Sequence, residues 1–229
     1  MPESPSKLVI FGASNILSDL FDCALANQLQ PTKVVLHHPE PAGERDIPLN
    51  DRLAALAAHC PPPLVQALDQ FQPADDECYL LGPTTPARAE LADEILRRFG
   101  LSFCSLIHPT AYVSPLARLG QGVFIGAKSV VGPNATLHDH VFVNRGVTIG
   151  HDTEVQSFSR IQPGANVGGL TRIGKGVTIG LGANVLERLV IESGSFVGAG
   201  AVVTADVPAN VLVVGIPAKI KKSLHEIAQ

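Results

Sequence analysis

Val113-Ser114-Pro115-Leu116-Ala117-Arg118-Leu119-Gly120-Gln121-Gly122-Val123-Phe124-Ile125-Gly126 sets a six-residue period that continues to Val203. Its aliphatic positions are Val113, Leu119, Ile125, Val131, Leu137, Val143, Ile149, Val155, Ile161, Val167, Ile173, Ile179, Val185, Ile191, Val197 and Val203, sixteen in succession. Two places before each stands a small or aliphatic residue, from Ala111, Ala117, Val123 and Ser129 through to Ala201. Gly often follows, as at Gly120, Gly126, Gly132, Gly150, Gly168, Gly174, Gly180 and Gly198. An unbroken period of this length points to a parallel β-helix. Residues two apart share a strand face, so each pair points into a narrow triangular prism, one hexad per side. Tight corners between the sides account for the Gly and Asn found there. With three hexads to a coil and roughly 4.7–4.9 Å between stacked strands, the series predicts about five coils.

The composition excludes several partners. A net charge of −4 and a pI near 6.0 argue against nucleic acid or an anionic membrane as the main ligand. No apolar run reaches the roughly eighteen residues of a membrane-spanning helix. Met1-Pro2-Glu3-Ser4-Pro5 has neither the basic nor the apolar segment of a secretory signal, so the expected compartment is the cytoplasm. Cys23, Cys60, Cys78 and Cys104 all precede the repeat and form no C-x-x-C pair, so neither a zinc ribbon nor a redox motif is indicated. They read as small buried hydrophobes. The absence of Trp suits a thin aliphatic core.

The first hundred residues read differently. Strands are expected over residues 7–11, 33–37 and 78–81. Helical spacing appears at Ile16, Leu17, Leu20, Phe21, Ala24, Leu25 and Leu29, with a short helix over 53–58 and another over 86–99 stopped by Gly100. Alternating strands and helices imply a small parallel, Rossmann-like sheet. The expected division is an α/β domain over residues 1–106 and a β-helix with a C-terminal tail over 107–229. Proline-rich stretches at 39–48 and 61–63 read as loops. Ligands of such sheets sit beyond the carboxyl ends of the strands, which makes Gly12 and Ser14 candidate contacts, with backbone N–H groups favouring an anion. Asn15-Ile16-Leu17 follows, so a full G-x-G-x-x-G is missing. A strand-to-helix turn needing a small residue explains the glycine equally well.

Four segments, in this order, are spread along nearly the whole chain. They are Ile10-Phe11-Gly12-Ala13-Ser14, Ile107-His108-Pro109-Thr110-Ala111, Asn144 followed seven residues on by His151-Asp152, and Gly215-Ile216-Pro217-Ala218-Lys219. The sequence thereby resembles the NeuD/PglD-type sugar O-/N-acyltransferases, which include sialic acid O-acetyltransferases and acetyltransferases of UDP-4-amino-sugars. The resemblance implies a left-handed coil and a homotrimer with acyl-CoA in the groove between neighbouring prisms. The implied reaction moves an acetyl or other acyl group to an amine or hydroxyl of a sugar or sugar nucleotide, with no metal. His151 would then be the general base, an imidazole with an ordinary pKa of about 6.5 being suited to that task. Asp152 would raise its basicity and Asn144 would position the acceptor or the ring. Arg160, Gly169, Leu181 and Ala199 would meet the acyl donor, and Gly12 and Ser14 the acceptor. Read from spacing alone, His151 is a corner residue two places after Ile149, and Asp152 a turn residue.

Three positions depart from the family's pattern. The usual Gly-Ala-Ser-Gly-His-Gly loop becomes Gly12-Ala13-Ser14-Asn15-Ile16-Leu17. His37-His38 stand where acidic residues often follow the second strand. Phe158-Ser159-Arg160 stands where PglD-type enzymes have a histidine touching the acyl group. The first two changes bear on a nucleotide-linked acceptor, the third on the donor. Two other readings remain. One is a non-catalytic trimeric paralogue that binds a metabolite or protein. The other is a γ-carbonic-anhydrase-like zinc enzyme, for which His138, His140 and His151 lie at three different phases of the hexad and so are not expected to converge. His138 and His140 read as exposed corner residues. Residues 219–222, three lysines in four, read as a solvated tail that could lie near the phosphates of coenzyme A.

Overall fold

A computed structural model describes residues 7–38 and 43–224. The opening Met1-Pro2-Glu3-Ser4-Pro5 and part of the proline-rich 39–48 stretch lie outside the described residues. The chain divides into two units, Met1–Leu106 and Ile107–Gln229. Among the described residues no helix is long and apolar enough to cross a membrane.

In the first unit, β1 (Lys7–Phe11), α1 (Leu17–Ala26), β2 (Gln30–Leu36), α2 (Leu49–Leu56), β3 (Leu64–Ala67), β4 (Glu77–Leu81) and α3 (Arg88–Phe99) follow in turn. The four strands form one parallel sheet in the order β3-β2-β1-β4. Central β1 buries Leu8, Val9, Ile10 and Phe11 completely, as a parallel strand covered on both faces must. Gly100 ends α3 with φ +64°, a left-handed cap. The short helix starts at Leu49 rather than 53, directly after Pro48, whose φ of −54° and lack of an N–H suit the entry to a helix. Strand β3 was not expected after Pro61–Pro62–Pro63. It is an edge strand whose Leu64 and Val65 are exposed, so it is held by backbone pairing to β2 and carries no buried pattern to read.

The second unit opens with β5 (Leu106–Ile107), whose Ile107 stands one hexad before Val113. Sixteen two-residue strands follow, each ending on one of the aliphatic positions, from β6 (Tyr112–Val113) to β21 (Val202–Val203). Every third strand pairs in parallel, giving three sheets: face I (β6, β9, β12, β15, β18, β21), face II (β7, β10, β13, β16, β19) and face III (β5, β8, β11, β14, β17, β20). Phe142 is paired with Arg160 and Thr148 with Asn166, so one coil is eighteen residues. The architecture is a left-handed parallel β-helix. Val131, Leu137, Val143, Val155 and Ile161 are fully buried along its axis. Inward Ser129 and Ser159 avoid an unpaired buried hydroxyl by donating to Asn144 O and Gly174 O, both at 2.7 Å.

The corners use glycine in two ways, only one of them conformational. A glycine directly after the aliphatic residue is needed because the coils stack closely: a Cβ at Gly126 would lie 2.8 Å from Arg145 N. The left-handed backbone falls two residues later, at Gly146, Gly164 and Gly182 but also at Lys128, Asn134, Asp152 and Leu170. The expectation that turn geometry explains the first glycine series is thus corrected.

After the repeat, β22 (Val211–Val214) continues face III, and β23 (Lys219–Ser223) folds back antiparallel on it. Residues 219–222 are therefore a strand, not a free tail. Their backbone is paired while their side chains stay exposed, and lysines on an edge strand discourage further pairing.

Close stacking makes two neighbouring glycines unequal in their tolerance of a side chain. A Cβ at Gly180 would lie 2.5 Å from Val197 O, whereas at Gly182 nothing stands within 4 Å. Gly182→Ala should cost only the left-handed penalty of about 1–2 kcal/mol, and Gly180→Ala clearly more. Urea denaturation midpoints test this; equal losses would show that the coils part without cost.

Candidate active site

Beyond β12 (Thr148–Ile149) the chain turns the corner between faces I and II through Gly150-His151-Asp152. Asp152 adopts φ +55° and donates its N–H to Pro133 O one coil away (2.9 Å). This backbone turns the carboxylate back on its neighbour: His151 Nδ1 lies 2.7 Å from Asp152 Oδ2. An ionised carboxylate only accepts, so Nδ1 carries a proton, and in the neutral ring Nε2 keeps its lone pair. The other oxygen, Oδ1, accepts from Asn134 Nδ2 at 3.1 Å. The bond from His151, and next that from Asn134, hold the Asp152 carboxyl below the usual range. Gly169 stands one coil further along the same edge. A Cβ there would come within 2.7 Å of His151 Nε2, so only glycine leaves the ring its present place.

The remaining candidates of this unit lie elsewhere on the prism. Asn144 follows β11 (Phe142–Val143) at the corner between faces III and I. It is 5% exposed, and its Oδ1 accepts from Arg145 N at 2.8 Å. Leu181 (59% exposed) and Ala199 occupy the same corner one coil apart. Arg160 opens β14 (Arg160–Ile161) and points outward from face III rather than standing at a corner. Its Nε donates to Thr178 Oγ1 at 2.9 Å, and burial lowers its pKa. One chain thus brings His151, Asp152 and Gly169 together and keeps Asn144, Leu181 and Ala199 on another edge, with face I between. Asn134 was passed over by the sequence reading. The signal for it was its place eighteen residues before Asp152, which is one coil.

In the first unit, Gly12 has φ +82° and a Cβ there would meet Pro83 Cδ at 2.8 Å, so packing alone demands glycine. Ser14 Oγ is committed to Gly82 O (2.8 Å). Over this turn Arg52 donates to Asn15 O, Asn15 Oδ1 and Ser18 Oγ at 3.1, 2.7 and 2.7 Å, and Asn15 Nδ2 donates to Asp46 Oδ1 at 2.6 Å. The space left over this turn is small, about 30 Å³. A pocket of about 360 Å³ opens instead beside the ends of β2 and β4, lined by His37, His38, Pro83, Thr85, Arg88 and Glu94 among others. The His37 and His38 rings are 4.4 Å apart; burial first, then the neighbouring imidazole, lowers the His37 pKa.

His138 and His140 lie on the corner between faces II and III. His138 Nε2 is 2.9 Å from Glu154 Oε1. His140, expected to be exposed, is 8% exposed because its ring stacks on Phe158 one coil away, centroids 4.9 Å apart. Among the described residues no group of three His, Cys, Asp or Glu could hold a metal ion.

The family model "Bacterial transferase hexapeptide (six repeats)" matches residues 116–151. The acetyltransferase domain of PglB from Neisseria gonorrhoeae FA1090, solved in complex with acetyl coenzyme A, is 30% identical. The match covers 94% of this chain and 98% of that one, with a TM-score of 0.78. The chain belongs to the NeuD/PglD-type family of hexapeptide-repeat acyltransferases. Two more distant structures share its fold. A point mutant of perosamine N-acetyltransferase from Caulobacter crescentus, in complex with CoA and GDP-perosamine, is 24% identical, with a TM-score of 0.79 over 95% of this chain and 97% of that one. WeeI from Acinetobacter baumannii AYE is 22% identical, with a TM-score of 0.76 over 93% and 98%. No curated protein sequence matches significantly. Within the NeuD/PglD-type fold, the His151–Asp152 pair stands on one edge of the prism with Gly169 beside it.

That proximity predicts the outcome of Gly169→Ala. The imidazole should leave its place while the coil remains folded, seen as altered His151 ring nitrogen shifts by NMR and an unchanged circular dichroism spectrum. An unmoved ring would mean that the backbone of the next coil yields instead.

Proposed function

We propose that this protein moves an acetyl or other acyl group from acyl-CoA to an amine or hydroxyl of a sugar or sugar nucleotide, with His151 as general base. The observation that carries the reading is the oriented His151–Asp152 pair, its Nε2 lone pair open beside Gly169, in a chain 30% identical to a domain solved with acetyl coenzyme A. The donor, when bound, supplies an activated thioester. Asp152 keeps the proton on Nδ1 and stabilises the imidazolium. Nε2 takes the proton from the acceptor N–H or O–H as that atom bonds to the acyl carbon and the C–S bond breaks. The ring then returns the proton to the departing sulfur. Arg160 is suited to polarise the thioester oxygen, with Leu181 and Ala199 lining the donor groove. Asn144 positions the acceptor or the ring. The first unit is the acceptor-binding domain, with Gly12 and Ser14 shaping the turn beside its pocket.

The placement of these residues on two edges supports a homotrimer. Face I presents Tyr112, Val130, Thr148, Asn166, Asn184 and Val202, none charged, whereas face II presents Arg118, Glu154 and Arg172. Thr148 Oγ1 donates to Asn166 Oδ1 (2.7 Å), and Asn166 Nδ2 to Asn184 Oδ1 (3.0 Å), a polar ladder that needs no counter-charge. Three copies with face I toward the axis set the His151 edge of one chain against the Leu181–Ala199 edge of the next. Charging this face should break the assembly: Asn166→Lys is expected to elute as a monomer in size-exclusion chromatography with light scattering. A trimeric Asn166→Lys protein would exclude face I from the interface.

Calorimetry with acetyl-CoA on the wild type and on Arg160→His tests the donor. Binding by the wild type supports the reading, and binding only by Arg160→His points to a different acyl chain. Binding by neither favours a non-catalytic relative. With the acceptor in hand, His151→Ala should lower kcat by about 10²–10⁴-fold while leaving donor affinity within about twofold. Full activity in that variant would sink the assignment of the base.

A further inference from the structure

We propose that Asn134 is a positioning residue for the candidate base, the third member of a relay Asn134–Asp152–His151 built across two coils. The inference rests on the reading of His151 as the base and concerns what holds that base in its working tautomer. Asn134 and Asp152 occupy the same corner position of successive coils, eighteen residues apart, and both have left-handed backbone, φ +57° and +55°. The Asn134 amide donates to Oδ1 (3.1 Å) while Oδ2 faces His151 Nδ1 (2.7 Å). Because a carboxylate cannot donate, the amide must present its NH₂. One oxygen is thus pinned from the neighbouring coil and the other faces Nδ1 of the ring.

Corner geometry does not by itself require asparagine here. The next two positions on this edge, Leu170 and Arg188, adopt φ +61° and +64° with side chains that make no such bond. Without Asn134, the exposed Asp152 side chain has only the imidazole to orient it, and rotation about its χ1 and χ2 angles would release Nδ1. A neutral imidazole freed from its carboxylate partner populates the tautomer with the proton on Nε2, which cannot accept a proton from an acceptor. The charged groups around the pair are few. Glu187 and Arg188, a coil beyond Gly169, form an ion pair of their own at 3.8 Å. On face II, Glu154 is engaged by His138 and Gln156, and Arg172 stands beside it in register.

The test needs neither donor nor acceptor, so it is separate from the trials of acyl transfer. In the wild type, Asn134→Gly and Asn134→Asp, NMR follows the ring nitrogens of His151 and the side-chain carboxyl of Asp152 across a pH titration. Glycine suits the left-handed backbone, so Asn134→Gly removes the amide without a steric cost. The expected result is a severalfold shift of His151 from the Nδ1–H to the Nε2–H tautomer in Asn134→Gly. The Asp152 titration should move upward, and further upward in Asn134→Asp, where a second carboxylate replaces the donor. Melting temperatures should stay close to that of the wild type. Tautomer ratio and Asp152 titration unchanged in both variants would overturn the relay. If they shift as expected but His151→Ala keeps full acyl transfer, the relay exists and the assignment of the base is what fails.

Discussion

Each coil of this prism stacks on the next at the distance of one hydrogen-bonded strand, and that closeness governs the rest of the second unit. It brings residue n against residue n+18 at every position: valine on valine inside, Phe124 on Phe142 (4.7 Å between centroids) and Thr148 on Asn166 outside. It also forbids a Cβ directly after many of the aliphatic residues, since the backbone of the neighbouring coil already fills the place. Glycine at Gly126 or Gly180 is therefore a packing requirement. The conformational demand falls two residues later, and even leucine and arginine meet it there.

The candidate site is a product of the same stacking. His151 owes its open Nε2 to Gly169 one coil on, and Asp152 owes its orientation to Asn134 one coil before. A short stretch of chain near His151 supplies only the pair itself; what holds it comes from neighbours eighteen residues away in both directions. The fold also sets a limit. Three edges of a prism cannot converge, so within one chain the residues on the edge of faces I and II stay apart from those on the edge of faces III and I. Face I, which presents no charged residue, lies between them.

The first unit shows a family turn put to other use. The glycine of the first strand-to-helix turn is kept, but Asn15, Asp46 and Arg52 bond to one another over it and leave little space. Open volume lies instead beside His37 and His38, the positions at which the sequence departs from the family's acidic pattern.

Much of this was legible in the residues. The hexad period determined the prism, its inward residues and the corner location of His151, because a strand-and-corner unit repeated without error has one way to stack. Strand β3 escaped because an exposed edge strand carries no periodic apolar signal, and the strand at 219–223 because its lysines mark a solvated surface without saying whether the backbone is paired. His140 looked exposed because nothing local announces a stack with Phe158. The sequence by itself determined which residues face the core and which family the chain resembles, since both follow from local pattern and motif order. The tertiary structure alone decided that the Asn134 amide reaches the Asp152 carboxylate and that Gly169 makes room for the His151 ring. Those are relations between coils, and a linear pattern acquires them only once its turns are stacked.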